Sequence, residues 1–208
     1  MYLSRTAIDL KNRNTMRAME NPEIMHGIIE NCFQGERRRN LWRIDEIKGQ
    51  IYILLLSTEK PDMDVLVKQI GLKGGEWDTR DYTPLLERVK QGSIWRFRLA
   101  VNPVVNVPEP NNGRGKVKAI TIPAHQREWL KQQGSKHGFL LADDQFDVIR
   151  SEWKNFRNKG KNVSIFRSTF EGILNVSNQE EFVKALIGGI GRGKAYGNGM
   201  ITVMHCRE

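Results

Sequence analysis

The 208-residue sequence has only two cysteines, Cys32 and Cys206, which form neither a disulfide framework nor a CxxC pair. Histidines and cysteines nowhere have the spacing of a zinc site. The longest strongly apolar run, Ile51 to Leu56, is far shorter than the roughly 20 residues that cross a bilayer. The N-terminal residues also lack the apolar stretch of a secretion signal. We therefore expect a cytoplasmic protein that has no membrane association and needs no metal ion or cofactor.

Acidic residues are fewer than basic ones. The sequence has 33 Lys and Arg against 24 Asp and Glu, which gives a net charge of +9. The basic excess is larger in residues 101–208 than in residues 1–100. Such a charge favours a polyanionic partner, and nucleic acid more readily than a small metabolite. A solvated positive surface with no ligand remains the alternative.

The predicted elements of the first half follow the order β-α-β-β-α-β. They are a strand at 2–8, a helix at 22–34, a hairpin of strands at 41–47 and 51–57, a helix at 61–70 and a strand at 94–101. The strand at 94–101 lies near the midpoint of the chain and could equally open a second unit.

The second half shows a similar order of elements without a sequence repeat. It comprises a helix at 123–133, strands at 139–149 and 163–176 flanking a basic segment, a helix at 179–186 behind a capping box at Ser177, and a strand at 200–205. Two split β-α-β units in tandem predict an α+β protein with two ferredoxin-like (RRM-like) domains, residues 1–93 and 94–208, and a C-terminal glycine-rich loop.

The glycine-rich loop matches the GxxxxGK pattern of a phosphate-binding P-loop from Gly188 to Lys194. Ala195 follows where that motif needs a hydroxyl, and a helix rather than a strand precedes the loop; both departures argue against a nucleotide triphosphate site. Arg192 and Lys194 could meet phosphates of a nucleic acid that the backbone approaches closely. A tight helix-to-strand connection is the alternative. The glycines concerned are Gly189, Gly191, Gly193, Gly197 and Gly199.

The basic segment between the predicted strands has aromatic residues among its cations. Its candidate RNA-binding residues are Arg150, Lys154, Arg157, Lys159 and Lys161. Such a hairpin could follow the phosphates of an RNA stem, although a solvated charged face would have the same composition. Further candidate RNA-binding residues outside this segment are Arg37, Arg38, Arg114 and Lys116.

His26 lies at the border of the apolar stripe of its predicted helix, which is formed by residues such as Met25, Ile29 and Phe33. A group at this border can reach a ligand, and the ordinary pKa of histidine suits proton transfer. A histidine that only packs at the core edge would occupy the same position.

Several motifs together resemble those of the CasE family, the CRISPR RNA-processing endoribonucleases of type I-E systems. They are MYLSR at 1–5, the stretch from Asn21 to His26, Leu41-Trp42-Arg43, residues 96–103, residues 170–172 and the loop at 189–199. The resemblance implies tandem ferredoxin-like domains and metal-independent cleavage beside a CRISPR repeat hairpin. It also implies that the protein belongs to the Cascade complex, contacts its backbone subunit and holds the mature guide RNA. In this family the histidine that matches His26 is catalytic.

The sequence departs from the family beside this histidine. Family members can carry a tyrosine and an arginine where this chain has Glu23 and Gly27. Glu23 could orient His26 as an assisting residue, or it could simply complement the helix N-terminus. Lys194 and Tyr196 are other candidate assisting residues, as are Arg37 and Arg38. A non-catalytic RNA-binding subunit of the same fold is the alternative function.

Overall fold

The first of two antiparallel sheets contains β1 (Tyr2–Ala7), β2 (Leu41–Ile47), β3 (Gln50–Ser57) and β4 (Trp77–Asp81), in the order β2-β3-β1-β4. This is the strand order of a ferredoxin-like unit. Its helices are α1 (Arg13–Glu20), α2 (Pro22–Glu30), α3 (Met63–Ile70) and α4 (Thr83–Arg88). These assignments come from a computed structural model that describes residues 1–35, 38–108, 115–158 and 160–206.

The second sheet contains β5 (Ile94–Val101), β8 (Phe139–Leu140), β10 (Lys161–Val176) and β11 (Ile201–His205), in the order β11-β5-β10-β8. β9 (Phe146–Asn158) pairs with β10 in a long hairpin. The helices of this half are α5 (Pro123–Lys136) and α6 (Gln179–Gly188), and β6 (Val104–Val107) pairs with β7 (Lys116–Ala119) in a separate ribbon. The two sheets confirm the predicted tandem ferredoxin-like fold.

The apolar run in β3 is continuous because both faces of this strand are buried. Ile53 and Leu55 belong to the core beneath α2 and α3, which also contains Met25 and Trp42. Leu54 and Leu56 belong to the larger core that the first sheet shares with the second. A strand buried on both faces is expected to lack the usual alternation of polar and apolar residues.

Arg43 of β2 links the two sheets. Its guanidinium is 3% exposed and donates to both carboxylate oxygens of Asp45, at 2.8 and 2.6 Å. It also donates to the carbonyl oxygens of Arg98 in β5 and Met200 before β11, both at 2.8 Å. A buried charge needs such partners, and here they hold the edge of the first sheet against the second.

The strand at 94–101 opens the second unit, which is one of the two roles that the sequence left open, and the polar β4, which was not predicted, completes the first sheet. Three details of the other predicted elements were wrong. The predicted strand at 139–149 is divided into β8 and β9, so residues 150–158 of the basic segment lie within a strand. α2 ends at Glu30 rather than at residue 34. The cap of α6 is Asn178, whose side chain accepts from the backbone N–H of Glu181.

The division into domains at residues 1–93 and 94–208 remains our proposal.

In the parts of the chain that the structure describes, no helix is both long enough and apolar enough to cross a membrane.

Candidate active site

A cleft of about 530 Å³ lies between α2, the segment before β2 and the glycine-rich loop. Its lining residues are His26, Glu30, Arg38, Arg39, Asn40, Gly191, Arg192, Gly193, Lys194, Ala195 and Tyr196. The cleft therefore brings together side chains that are far apart in the sequence.

α2 places His26 in this cleft. Asn21 caps the helix by accepting from the backbone N–H of Glu23 at 3.0 Å, and Pro22 occupies the first turn. Met25 and Ile29 on either side of the histidine are fully buried, whereas His26 is half-buried. The core thus holds the helix while the imidazole faces the cleft, as its border position predicted.

The glycine-rich loop is shaped by contact with Trp42 of β2. A 3-10 turn at Lys194–Tyr196 is followed by Gly197, which has a φ of +76°. A Cβ atom at Gly197 would lie 2.7 Å from a ring carbon of Trp42, and the indole Nε1 donates to the carbonyl oxygen of Ala195 at 3.2 Å. All five of the predicted loop glycines have positive φ. The loop is therefore a fixed structure that packs directly on the first sheet.

Arg167 of β10 supports the loop from the other side. Its Nη2 donates to the carbonyl oxygen of Tyr196 at 2.6 Å, and its Nε donates to Oδ1 of Asn198 at 3.1 Å. Burial is the main cause that lowers the pKa of Arg167 below its usual value. This arginine is thus occupied with the backbone of the loop.

Most of the charged side chains that line the cleft are cations. Lys194 is half-buried, and its pKa is lowered first by burial and then by the positive charge of Arg39. Arg38 and Arg192 add two exposed guanidiniums, and Arg38 also pairs with Glu59 at 3.1 Å. Glu30 is the one carboxylate among the described lining residues. This distribution of charge suits a phosphate group.

The hairpin of β9 and β10 reaches the same cleft. The ring of Phe156 meets that of Tyr196 edge-on, with the centroids 4.8 Å apart. Nδ2 of Asn158 donates to the phenol oxygen of Tyr196. Nδ2 of Asn21, the cap of α2, donates to the carbonyl oxygen of Arg157 at 3.4 Å. The hairpin therefore contacts two of the three elements that line the cleft, namely α2 through its cap and the glycine-rich loop.

The predicted site residues fall into several groups. His26, Arg38, Arg192, Lys194 and Tyr196 meet in the cleft, whereas Glu23 is not among its described lining residues. Arg157 and Lys161 are exposed near the end of the hairpin.

The remaining predicted residues lie elsewhere. Arg150 and Lys154 both pair with Glu152, at 3.0 and 3.2 Å. Lys116 is exposed on β7 and does not line the cleft. Arg37, Arg114 and Lys159 lie outside the described residues.

Sequence reasoning missed Glu30, Arg39, Asn40 and Asn158. The position of Glu30, one helical turn after His26, was the available signal. Within the described ranges, no group of three His, Cys, Asp or Glu residues could hold a metal ion.

Comparison with known proteins agrees with this geometry. The fold and the basic cleft define a tandem ferredoxin-like protein with a site for a polyanion. Residues 1–205 match the family described as "CRISPR associated protein", and the chain belongs to that family.

Two relatives and one solved structure are similar along the chain. The CRISPR-associated endoribonuclease Cse3 of Thermus thermophilus is 26% identical over 98% of this chain and 99% of its own. The Cascade subunit CasE of Escherichia coli is 24% identical over 73% of each chain. A structure of Cse3 bound to a 19-nucleotide RNA superposes with a TM-score of 0.83, covering 98% of this chain and all of the other at 26% identity.

Proposed function

We propose that this protein is an endoribonuclease that cleaves precursor CRISPR RNA beside the repeat hairpin and retains the product as a Cascade subunit. The observation that carries the proposal is an imidazole on a rigid helix in a cation-lined cleft next to a basic hairpin. The similarity to Cse3 along almost the whole chain supports the same activity.

The proposed chemistry is metal-independent transesterification. The 2′-hydroxyl upstream of the scissile phosphate attacks the phosphorus, and the bond to the 5′-oxygen breaks. The products are a 2′,3′-cyclic phosphate, or its hydrolysed 3′-phosphate, and a 5′-hydroxyl. His26 serves this reaction as the proton-transfer group, a role that typically contributes roughly 100- to 10,000-fold to the rate.

Cations in the cleft would stabilise the charge that develops on the phosphorane. Lys194 is the best placed of them, because it is half-buried and its position is fixed by the loop. Tyr196 offers a phenol hydrogen as a further donor. We assign Glu23 to the helix N-terminus, where a carboxylate is favourable, because it does not line the cleft.

The RNA stem would lie along the hairpin of β9 and β10, with Arg157 and Lys161 against its phosphates. Other Cascade subunits are the proposed protein partners by analogy with CasE, and the family resemblance points to the backbone subunit among them. The two cysteines are free, as is usual in a reducing compartment, so we place this activity in the cytoplasm.

The direct test measures cleavage of two RNAs by the purified protein. One is the repeat RNA, and the other has the same composition but a disrupted stem. We expect the protein to cleave the repeat RNA but not the RNA with the disrupted stem, and the hairpin fragment to co-elute with the protein. Binding of the hairpin without any cut would instead establish the alternative, a non-catalytic RNA-binding subunit.

The salt dependence of binding tests the hairpin. We expect the double variant Arg157→Ala/Lys161→Ala to bind repeat RNA more weakly. The slope of log affinity against log salt concentration should also become shallower, by the amount that corresponds to the loss of up to about two phosphate contacts. The matched control is Lys68→Ala/Lys73→Ala, which removes two exposed lysines in and after α3. An unchanged slope in the first variant would show that these cations form only a solvated surface.

A further inference from the structure

Asn158 contacts the cleft from the RNA-binding hairpin, although no motif in the sequence marks it. We propose that Asn158 is a positioning residue for cleavage, which holds the phenol oxygen of Tyr196 so that its hydrogen is free to bind the scissile phosphate. This inference rests on the proposed function, because it concerns the same cleft and the same reaction.

The geometry around the phenol carries the proposal. The amide Nδ2 of Asn158 donates to the phenol oxygen, which thereby acts as an acceptor. No acceptor for the phenol hydrogen is found among the described residues. The ring is held on one side by the edge of Phe156 and its backbone carbonyl by Arg167. The ring is therefore fixed, and its hydrogen is the one part that is still able to turn towards a ligand.

Within the described residues, the phenol oxygen of Tyr196 is the one hydrogen-bond partner of the Asn158 side-chain amide. Its Oδ1 is buried and accepts no hydrogen bond within the described residues. A buried acceptor without a partner is costly, so stability alone does not account for an asparagine here. A role in orienting Tyr196 does account for it, because an amide can donate while a carboxylate of the same shape cannot.

The position of Asn158 also connects RNA binding to the cleft. Asn158 is the last residue of β9 and pairs with Lys161 of β10, while Arg157 directly precedes it. The carbonyl of Arg157 is in turn held by Asn21 at the start of the helix that carries His26. Phosphates gripped by Arg157 and Lys161 would therefore fix the strand end that orients Tyr196.

A double-mutant cycle tests this role. Single-turnover cleavage of repeat RNA is measured at saturating protein for the wild type, Asn158→Ala, Tyr196→Phe and the double variant. Loss of one transition-state donor typically costs 100-fold or more, so we expect about 100-fold for Tyr196→Phe and about tenfold for Asn158→Ala. Because Asn158 acts through the phenol, the double variant should be no slower than Tyr196→Phe alone.

Two further variants separate positioning from packing. Asn158→Asp keeps the shape but can only accept, so it would capture the phenol hydrogen and should cleave as slowly as Asn158→Ala. Asn155→Ala is the matched control, because this asparagine lies on the opposite face of β9 and accepts from Ser164 at 2.6 Å. It should cleave at the wild-type rate.

The outcomes are distinguishable. A wild-type rate for Asn158→Ala or Asn158→Asp would overturn the positioning role, and so would an equal loss from Asn158→Ala in the Tyr196→Phe background. Loss of activity in Asn155→Ala as large as in Asn158→Ala would likewise assign the effect to the strand as a whole. Absence of cleavage by the wild type would contradict the proposed function itself.

Discussion

Replacing His26 with alanine should abolish cleavage of repeat RNA while leaving RNA affinity nearly unchanged. Loss of a proton-transfer group commonly lowers the rate by roughly 100- to 10,000-fold. The side chain is half-buried at the edge of the helix, and the buried residues Met25 and Ile29 remain in place. The free energy of unfolding should therefore change little, because no large buried volume is lost.

The measurement is single-turnover cleavage by the wild type and His26→Ala, with affinity measured in parallel. His125→Ala is the matched control, because His125 is an exposed histidine on α5 that does not line the cleft. Cleavage at the wild-type rate would remove His26 from the mechanism. A loss of affinity as large as the loss of rate would make His26 a binding residue instead.

Replacing Gly197 with alanine should impair both the fold and the activity. The backbone there has a φ of +76°, and the new Cβ would lie 2.7 Å from the ring of Trp42. Trp42 is 2% exposed and cannot move aside, so the loop must shift. Strain and overpacking should together lower the free energy of unfolding by about 2 to 4 kcal/mol. Displacement of Lys194 and Tyr196 should slow cleavage by about 100-fold or more.

Gly188→Ala is the control for this variant. Gly188 belongs to the same glycine-rich run, but it lies at the end of α6 and has open space where a Cβ would be added. Thermal unfolding and single-turnover cleavage should match the wild type for Gly188→Ala and fall for Gly197→Ala. Equal behaviour of the two variants would show that contact with Trp42 does not shape the loop.

The order and spacing of apolar residues predicted most of the fold. β1, β2, β3 and α3 of the first unit follow clear patterns, as do β5, β10 and α6 of the second. α1 and β4 were missed because they are predominantly polar, and only Thr15 and Ala18 of α1 are buried. Their positions depend on tertiary packing that local propensity does not contain.

The candidate site was predictable only in part. The border position of His26 follows from helical periodicity, and the glycines of the loop are evident in the sequence. The meeting of α2 with the loop depends on the contact between Trp42 and Gly197, which are far apart in the chain. The hydrogen bond between Asn158 and Tyr196 depends on the register of the hairpin. Neither of these long-range contacts produces a local pattern in the sequence, so neither could be predicted from it.

We propose that this cleft cleaves RNA through the 2′-hydroxyl without a metal ion. The most direct measurement is cleavage of repeat RNA in excess EDTA, followed by chemical analysis of the new ends. Undiminished cleavage that leaves a 2′,3′-cyclic phosphate or 3′-phosphate and a 5′-hydroxyl is the predicted result. Cleavage that stops in EDTA and, with magnesium, leaves a 5′-phosphate would contradict it.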